Sequence, residues 1–292
     1  MKIAIYGRTV PENRTSCVRG LFEELGKHKL ELYVHTSLYE YISSEIPFPL
    51  HTNQFSGYDE IRGAVDFMIC LGGDGTMLDA LGMIRNSGIP VLGINTGRMG
   101  FLAAVASHEV KAAVDALLTK QFSLDKRSLL KVSSRHDLFG EVNYALNELT
   151  VLKKDSSAMM TIHTYINGEF LNSYWADGLI VATPTGSTAY SLSCGGPLVV
   201  PDSKSFIITP ISPHNLNVRP LIISDDNVVT IRVEGRSTEY LATLDSRTAV
   251  FPVSEELTIT REDFRFNLVK LKNANFFNTI RNKLMWGLDK RN

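Results

Sequence analysis

The stretch Leu71-Gly-Gly-Asp-Gly-Thr-Met-Leu-Asp-Ala80 sets three glycines around one aspartate, after the apolar run DFMIC and before a helix-like run. A glycine-rich turn at such a junction offers several backbone N–H groups to one ligand. The helix N-terminus behind it adds about half a positive charge, which suits a phosphate. Gly72 and Gly73 can take φ > 0 and leave no Cβ in a ligand's way, so Gly72, Gly73 and Thr76 form a candidate phosphate loop. Asp74 has two readings. It caps the following helix, or it accepts the proton of a substrate hydroxyl during phosphoryl transfer.

A second dense stretch is DGLIVATPTGSTAYSLSCGGPLVVP, from Asp177 to Pro201. Thr183, Thr185, Ser187 and Thr188 surround Pro184 and Gly186, and Tyr190 and Ser193 follow at helical spacing. The loop either wraps a sugar or base edge, with Tyr190 as a stacking surface, or is a crossover in which Ser and Thr only cap. Asn147 and Glu148 interrupt the alternation of EVNYALNELTVL. An adjacent amide and carboxylate suit two neighbouring ribose hydroxyls, the amide donating and the carboxylate accepting; they also suit a simple strand bend. His28, His35 and His163 read as surface or packing residues, and His214 as a loop histidine.

The elements that position these residues fall into two regions. Up to about residue 121, strand and helix signals alternate: KIAIY, a helix near Asn13–His28, LELYVH, Phe67–Leu71, a helix over Thr76–Asn86, Ile89–Ile94, and an amphipathic helix Ser107–Lys120 with Ser107 at its N-cap. Alternation of this kind predicts a Rossmann-like parallel sheet covered on both faces. Residues 122–271 carry many short alternating runs, with Asn167-Gly168 as a hairpin turn signal. They predict an antiparallel, sandwich-like second domain, interrupted by a helix near Ser187–Ser193. The segment NFFNTIRNKLMWG reads as a C-terminal helix, within a tail 272–292 that completes the first domain.

Composition narrows the class. The chain has 292 residues, 44% hydrophobic and 21% charged, with a net charge of −1, so nothing general favours nucleic acid or an anionic membrane. Three cysteines, Cys17, Cys70 and Cys194, lie far apart without CxxC spacing, which predicts reduced thiols rather than disulfides or zinc. The start MKIAIYGRTVPE has too short an apolar run for a signal segment, and no stretch reaches the roughly 20 apolar residues of a membrane helix. A cytoplasmic protein is expected. There is no GxxxxGK[ST], no GxGxxG, no GxSxG and no HExxH, so the usual ATPase, dehydrogenase, esterase and metalloprotease signatures are missing.

Together GGDGT, Asn147-Glu148, DGLIVATPTGSTAYSLSCGGPLV, PHNLNVRPLII from Pro213 and FFNTIRNKLMWG resemble the NAD kinases over nearly the whole chain. GGDGT alone is shared with diacylglycerol and sphingosine kinases, whose lipid acceptors call for an apolar pocket; TPTGSTAYSLS followed by GGP is far more specific. The resemblance implies an α/β domain with a β-sandwich-like domain, and the reaction ATP + NAD → ADP + NADP at the adenosine ribose 2′-hydroxyl. It implies Asp74 as proton acceptor, with Gly75 against the dinucleotide and Phe101, in GRMGFL, near adenine. Asn147 and Glu148 would bind ribose hydroxyls and Asp177 a polar group. Thr188, Ala189, Tyr190, Ser191 and Ser193 would line the pocket, with Tyr190 against a ring, and Arg247 would be a further substrate-binding residue, standing where many relatives carry Gln. Trp175-Ala176 also depart from the residues relatives often carry. Mg²⁺, or another divalent cation, would arrive with ATP rather than on protein ligands, and a homodimer or homotetramer is implied.

Overall fold

The computed structural model describes residues 1–8, 15–49, 51–97, 100–154, 159–272 and 275–287. The chain divides into two compact units, one of residues 1–126 and 267–292, the other of residues 127–266.

The first unit runs β1 (Lys2–Gly7), α1 (Thr15–Gly26), β2 (Glu31–His35), α2 (Thr36–Ile42), β3 (Thr52–Phe55), α3 (Tyr58–Ile61), β4 (Phe67–Leu71), α4 (Asp74–Ile84), β5 (Val91–Asn95), β6 (Val105–Ala106), α5 (Val110–Leu118) and β7 (Phe122–Arg127). β3, β2, β1, β4 and β5 stand side by side in parallel. Because helices cover both faces, β4 and β5 are buried along their whole length and carry continuous apolar runs rather than alternation. Ile3, Ile5, Ile69, Leu92 and Ile94 pack with α1 and α5 on one face. Met77, Ala80, Leu81 and Ile84 bury the inner side of α4. The order 3-2-1-4-5 reverses direction between β1 and β4, so their carboxyl ends, Gly7-Arg8 and Gly72-Gly73, flank the crevice where open sheets bind ligands.

The second unit is two antiparallel six-stranded sheets. Its strands are β8 (Leu130–Ser134), β9 (Tyr144–Ala145), β10 (Glu148–Lys153), β11 (Met160–Ile166), β12 (Glu169–Ala176), β13 (Gly178–Ala182), β14 (Ser205–Ile211), β15 (Leu221–Ser224), β16 (Val229–Gly235), β17 (Glu239–Leu244), β18 (Arg247–Pro252) and β19 (Glu256–Arg261), with the short helix α6 (Tyr190–Ser193) before β14. One sheet is ordered β15-β14-β13-β10-β17-β18, the other β12-β11-β16-β19-β8-β9. Alternate residues of both, among them Leu149, Val151, Leu179, Val181, Ile162, Ile231 and Ile259, share one core. Asn167 and Gly168 join β11 to β12 with φ of 51° and 82°, the left-handed pair that such a hairpin requires.

Several boundaries differ from the sequence expectation. β20 (Phe266–Leu271) reads as one more strand of the second region, yet Leu268 pairs in parallel with Val91 of β5 in the first unit's sheet, with β7 alongside. The amphipathic helix is a 3-10 turn, Ser107–Glu109, leading into α5. Its cap is not Ser107; Glu109 reaches back to accept from the N–H of Ala106 at 2.9 Å. α2 and β3 carried no strong sequence signal. Of the first expected helix, residues 13 and 14 lie outside the described residues, as do 273–274 and 288–292 of the tail. The tail's helix, α7, spans Phe276–Leu284, capped by the side chain of Asn275 and ended by left-handed Met285.

Candidate active site

In the first unit the site is built on the β4–α4 junction. Gly73, with φ −101°, is the N-cap of α4, and neither Gly72, Gly73 nor Gly75 adopts positive φ. Handedness is therefore not what any of the three supplies, and lack of bulk is required at Gly72. A Cβ on Gly72 would meet Thr76 Oγ1 at 2.1 Å, whereas one on Gly73 would meet nothing within 4 Å. Gly75 faces the Arg8 guanidinium, 3.8 Å from such a Cβ. Thr76 is buried, with its hydroxyl turned back toward Gly72.

Asp74 does not cap the helix it begins. Its carboxylate reaches across to the 101–103 loop, where Phe101 N–H donates to Oδ2 at 2.8 Å and Leu102 and Ala103 N–H donate to Oδ1 at 2.9 and 3.1 Å. Lys283 of α7 places its ammonium 3.6 Å from Oδ2 and 4.3 Å from the centre of the Phe101 ring. Gly100 makes this possible, since a Cβ there would stand 1.9 Å from Oδ1. A carboxylate has about four acceptor positions; three are filled, and the side chain remains 30% exposed, so one hydroxyl can still be received. Beside it Arg8 holds Asp79 through Nε and Nη2 at 2.5 and 2.7 Å, and Tyr6 donates to the same carboxylate at 3.0 Å.

In the second unit, antiparallel pairing sets Glu148 of β10 opposite Ala182 of β13, which brings the Asn147-Glu148 pair beside the loop that leaves β13. Thr183 closes the join, its N–H and hydroxyl donating to the carbonyls of Asn147 and Leu146 at 2.8 and 2.5 Å. Asp245, left-handed at φ 53° in the β17–β18 turn, takes the N–H groups of Leu146, Asn147 and Glu148 at 2.8, 2.8 and 3.2 Å. Glu148 is buried, and its Oε2 has no hydrogen-bond partner. Burial, reinforced by Asp245, pushes its carboxyl up to about 8, so at neutral pH it is an acid that can donate as well as accept.

Two family models match the chain: the ATP-NAD kinase N-terminal domain over residues 7–122 and the ATP-NAD kinase C-terminal domain over residues 146–271. The chain belongs to the ATP-NAD kinase family. Its relatives include the NAD kinases of Cytophaga hutchinsonii, 47% identical, and Flavobacterium psychrophilum, 42% identical, each matched over 100% of both chains. Among solved structures, yeast NADH kinase complexed with NADH superposes with a TM-score of 0.89 at 25% identity, covering 99% of this chain and 88% of that one. An NAD kinase from Archaeoglobus fulgidus in complex with ATP gives 0.74 at 25% identity, covering 98% and 99%. Membership makes the chain a phosphotransferase, and no described helix is long and apolar enough to cross a membrane.

The remaining family-motif residues divide into those turned outward and those committed to the scaffold. Tyr190 and Ser193 are exposed, and Ala189 and Thr188 half-buried, with the Thr188 hydroxyl donating to the Thr185 carbonyl at 3.1 Å. Ser191 is buried, its hydroxyl on Thr209 at 2.8 Å. Asp177 is partly exposed and paired with Lys153 at 2.6 Å. Arg247 donates to the carbonyls of Val142 and Tyr144, so its guanidinium holds the chain before Ala145 in place. His214 lies against Trp175, ring centres 5.0 Å apart.

The acidic side chains of the β4–α4 junction do not fit a protein-held divalent cation. Asp79 is taken by Arg8 and Tyr6, and Asp74 faces three N–H donors and an ammonium. The described group with metal-ligand spacing, Glu24, His28 and Asp115, stands on α1, the turn after it and α5, and its Glu24 already pairs with Lys27.

Sequence reasoning passed over Arg8, Asp79, Asp245 and Lys283. Arg8 was findable, because it follows the carboxyl end of a strand. Neither Asp245 nor Lys283 carries a local signal of its role, because their partners Leu146–Glu148 and Asp74 are remote in the chain.

Proposed function

We propose that this chain transfers the γ-phosphoryl group of ATP to the 2′-hydroxyl of the adenosine ribose of NAD, giving ADP and NADP. The observation that carries the proposal is the Asp74 carboxylate, fixed by three consecutive N–H groups with one acceptor position open, at a helix N-terminus where Gly73 has nothing within 4 Å of a would-be Cβ. The hydroxyl oxygen attacks the γ-phosphorus and its proton passes to Asp74. The bond from phosphorus to the β–γ bridging oxygen breaks, and ADP leaves with that electron pair. Gly72, Gly73 and Gly75 admit phosphates, and Phe101 offers a ring face. Asn147 and Glu148 bind ribose hydroxyls, with Glu148 able to donate. Asp177, Thr188, Ala189, Tyr190 and Ser193 contact the dinucleotide, while Ser191 and Arg247 act through the scaffold. Mg²⁺ or another divalent cation supplies charge screening on the ATP phosphates when bound. The reading takes the protein as cytoplasmic, from its cysteine usage and apolar runs, and as a homodimer or homotetramer, on family resemblance alone.

The test is incubation with ATP, Mg²⁺ and NAD, with NADP followed by an NADP-specific dehydrogenase. Asp74→Asn should lower kcat by about 10²–10⁴-fold while NAD binding stays measurable. Wild-type protein that makes no NADP under any donor or metal condition would overturn the function, and near-normal turnover by the variant would overturn the role of Asp74.

A further inference from the structure

We infer that Lys283, on the C-terminal helix, is a second catalytic side chain, whose ammonium receives the phosphoryl group as it passes to the acceptor hydroxyl. The inference rests on the activity proposed above and extends it to a residue of the FFNTIRNKLMWG stretch to which the resemblance assigns no role. Its ammonium is fixed by two neighbours of different chemistry, 3.6 Å from Asp74 Oδ2 and 4.3 Å from the centre of the Phe101 ring. Oδ2 carries one N–H bond against two on Oδ1, so a hydroxyl that donates to Oδ2 shares that oxygen with the cation.

The helix that delivers it is anchored. Asn275 caps it by accepting from Phe277 N–H at 2.9 Å, Ile280 is 2% exposed, and the Phe276 ring lies 6.3 Å from that of Phe101. Arg281 and Lys283 occupy its last turn, where the helix dipole favours cations. An ordinary surface ion pair would contribute about 0–1 kcal/mol and would need no aromatic platform. Here Asp74 and Phe101, both tied to the 101–103 loop, aim the ammonium into the same space.

In the reaction, negative charge spreads over the peripheral oxygens of the moving phosphoryl group. Lys283 donates N–H to one of them and keeps its proton, while Asp74 takes the proton of the hydroxyl. The ammonium thus exchanges a carboxylate that becomes neutral for a phosphoryl oxygen that gains charge. That interaction is stronger in the transition state than before it, which is the condition for raising kcat.

The test compares Lys283→Met, Lys283→Arg and Arg281→Ala with wild type, reading kcat, KM for NAD and for ATP, and melting temperature. Arg281 donates to Asn278 on its own helix and is placed in no part of the site, so its removal controls for helix charge. Lys283→Met should lose about 10²-fold in kcat, with both KM values within about threefold of wild type. Lys283→Arg should recover at least tenfold of that loss, and Arg281→Ala should stay within twofold of wild type. Four results overturn the inference while leaving the proposed activity intact: kcat of Lys283→Met within threefold of wild type, a change confined to KM, an equal loss in Arg281→Ala, or no recovery with arginine. The last applies even where the Met variant melts early. Wild-type protein that makes no NADP overturns both.

Discussion

The buried Glu148 carboxyl makes stability depend on pH in a way one substitution can isolate. In an unfolded chain such a group ionises near 4.5, and in the folded protein burial and Asp245 hold it at about 8. Below pH 4.5 both states carry the proton and the group is silent. Above it the unfolded chain releases its proton freely while the folded one cannot, so the folded state loses ground until pH passes about 8. Between about pH 6 and pH 8 the loss amounts to roughly 2 kcal/mol at 1.36 kcal/mol per decade, or roughly 5 °C in melting temperature for a unit of this size. Glu148→Gln keeps the shape and removes the titration. Melting curves of both proteins from about pH 5.5 to pH 8.5 should separate, wild type falling relative to the variant as pH rises. Taking the difference cancels the contribution of every other group, which both proteins share. Parallel curves would refute the assignment of the proton to Glu148. Asp245 is not the proton's place, because it already accepts three N–H bonds, whereas Glu148 has an oxygen with no partner.

Two further substitutions test the clamps. Gly100→Ala puts a Cβ 1.9 Å from Asp74 Oδ1 and should break the bonds to 101–103. A displacement of about 1 Å should lower kcat by about 10²-fold; unchanged steady-state kinetics would show that the carboxylate needs no such support. Asp245→Ala strands three N–H groups beside Asn147 and Glu148. It should lower the unfolding free energy by about 2–3 kcal/mol in urea and raise KM for NAD, and an unmoved midpoint would contradict it.

What the sequence reveals follows from how far each interaction reaches. The β4–α4 junction and the Asn167-Gly168 hairpin are legible because apolar runs, glycines and turn types act over a few residues. α2 and β3 were not, since Thr52–Phe55 is an edge strand with two exposed polar residues and no alternation to see. β20 alternates like its predecessors, and only pairing with Val91, remote in the chain, assigns it to the first sheet. The site divides in the same way. The TPTGSTAY loop could be located, but not which of its hydroxyls are consumed. Ser191 turns to Thr209, a partner brought up by β14 from outside the loop, and Ser187 turns back on the Pro184 carbonyl within it. Arg247 follows Asp245 in the β17–β18 turn, and only the fold shows its guanidinium closing on the carbonyls of Val142 and Tyr144, more than a hundred residues away.

The two aspartates sharpen what counts as a sign of catalysis. Asp74 and Asp245 make the same clamp, each drawing three successive backbone N–H groups onto one carboxylate. The clamp therefore marks a fixed carboxylate and not a base. Their surroundings differ. Asp245 sits in a hairpin turn against Glu148 and Arg247, and the groups it orders are the ones proposed to bind ribose hydroxyls. Asp74 begins a helix, directly after Gly73, which has open space over it, and under a cation on an aromatic ring. Phosphate chemistry needs that combination of room, N–H donors and positive charge. An aspartate placed there for structure alone would gain nothing from the room, and the ammonium would gain nothing from standing where the room is.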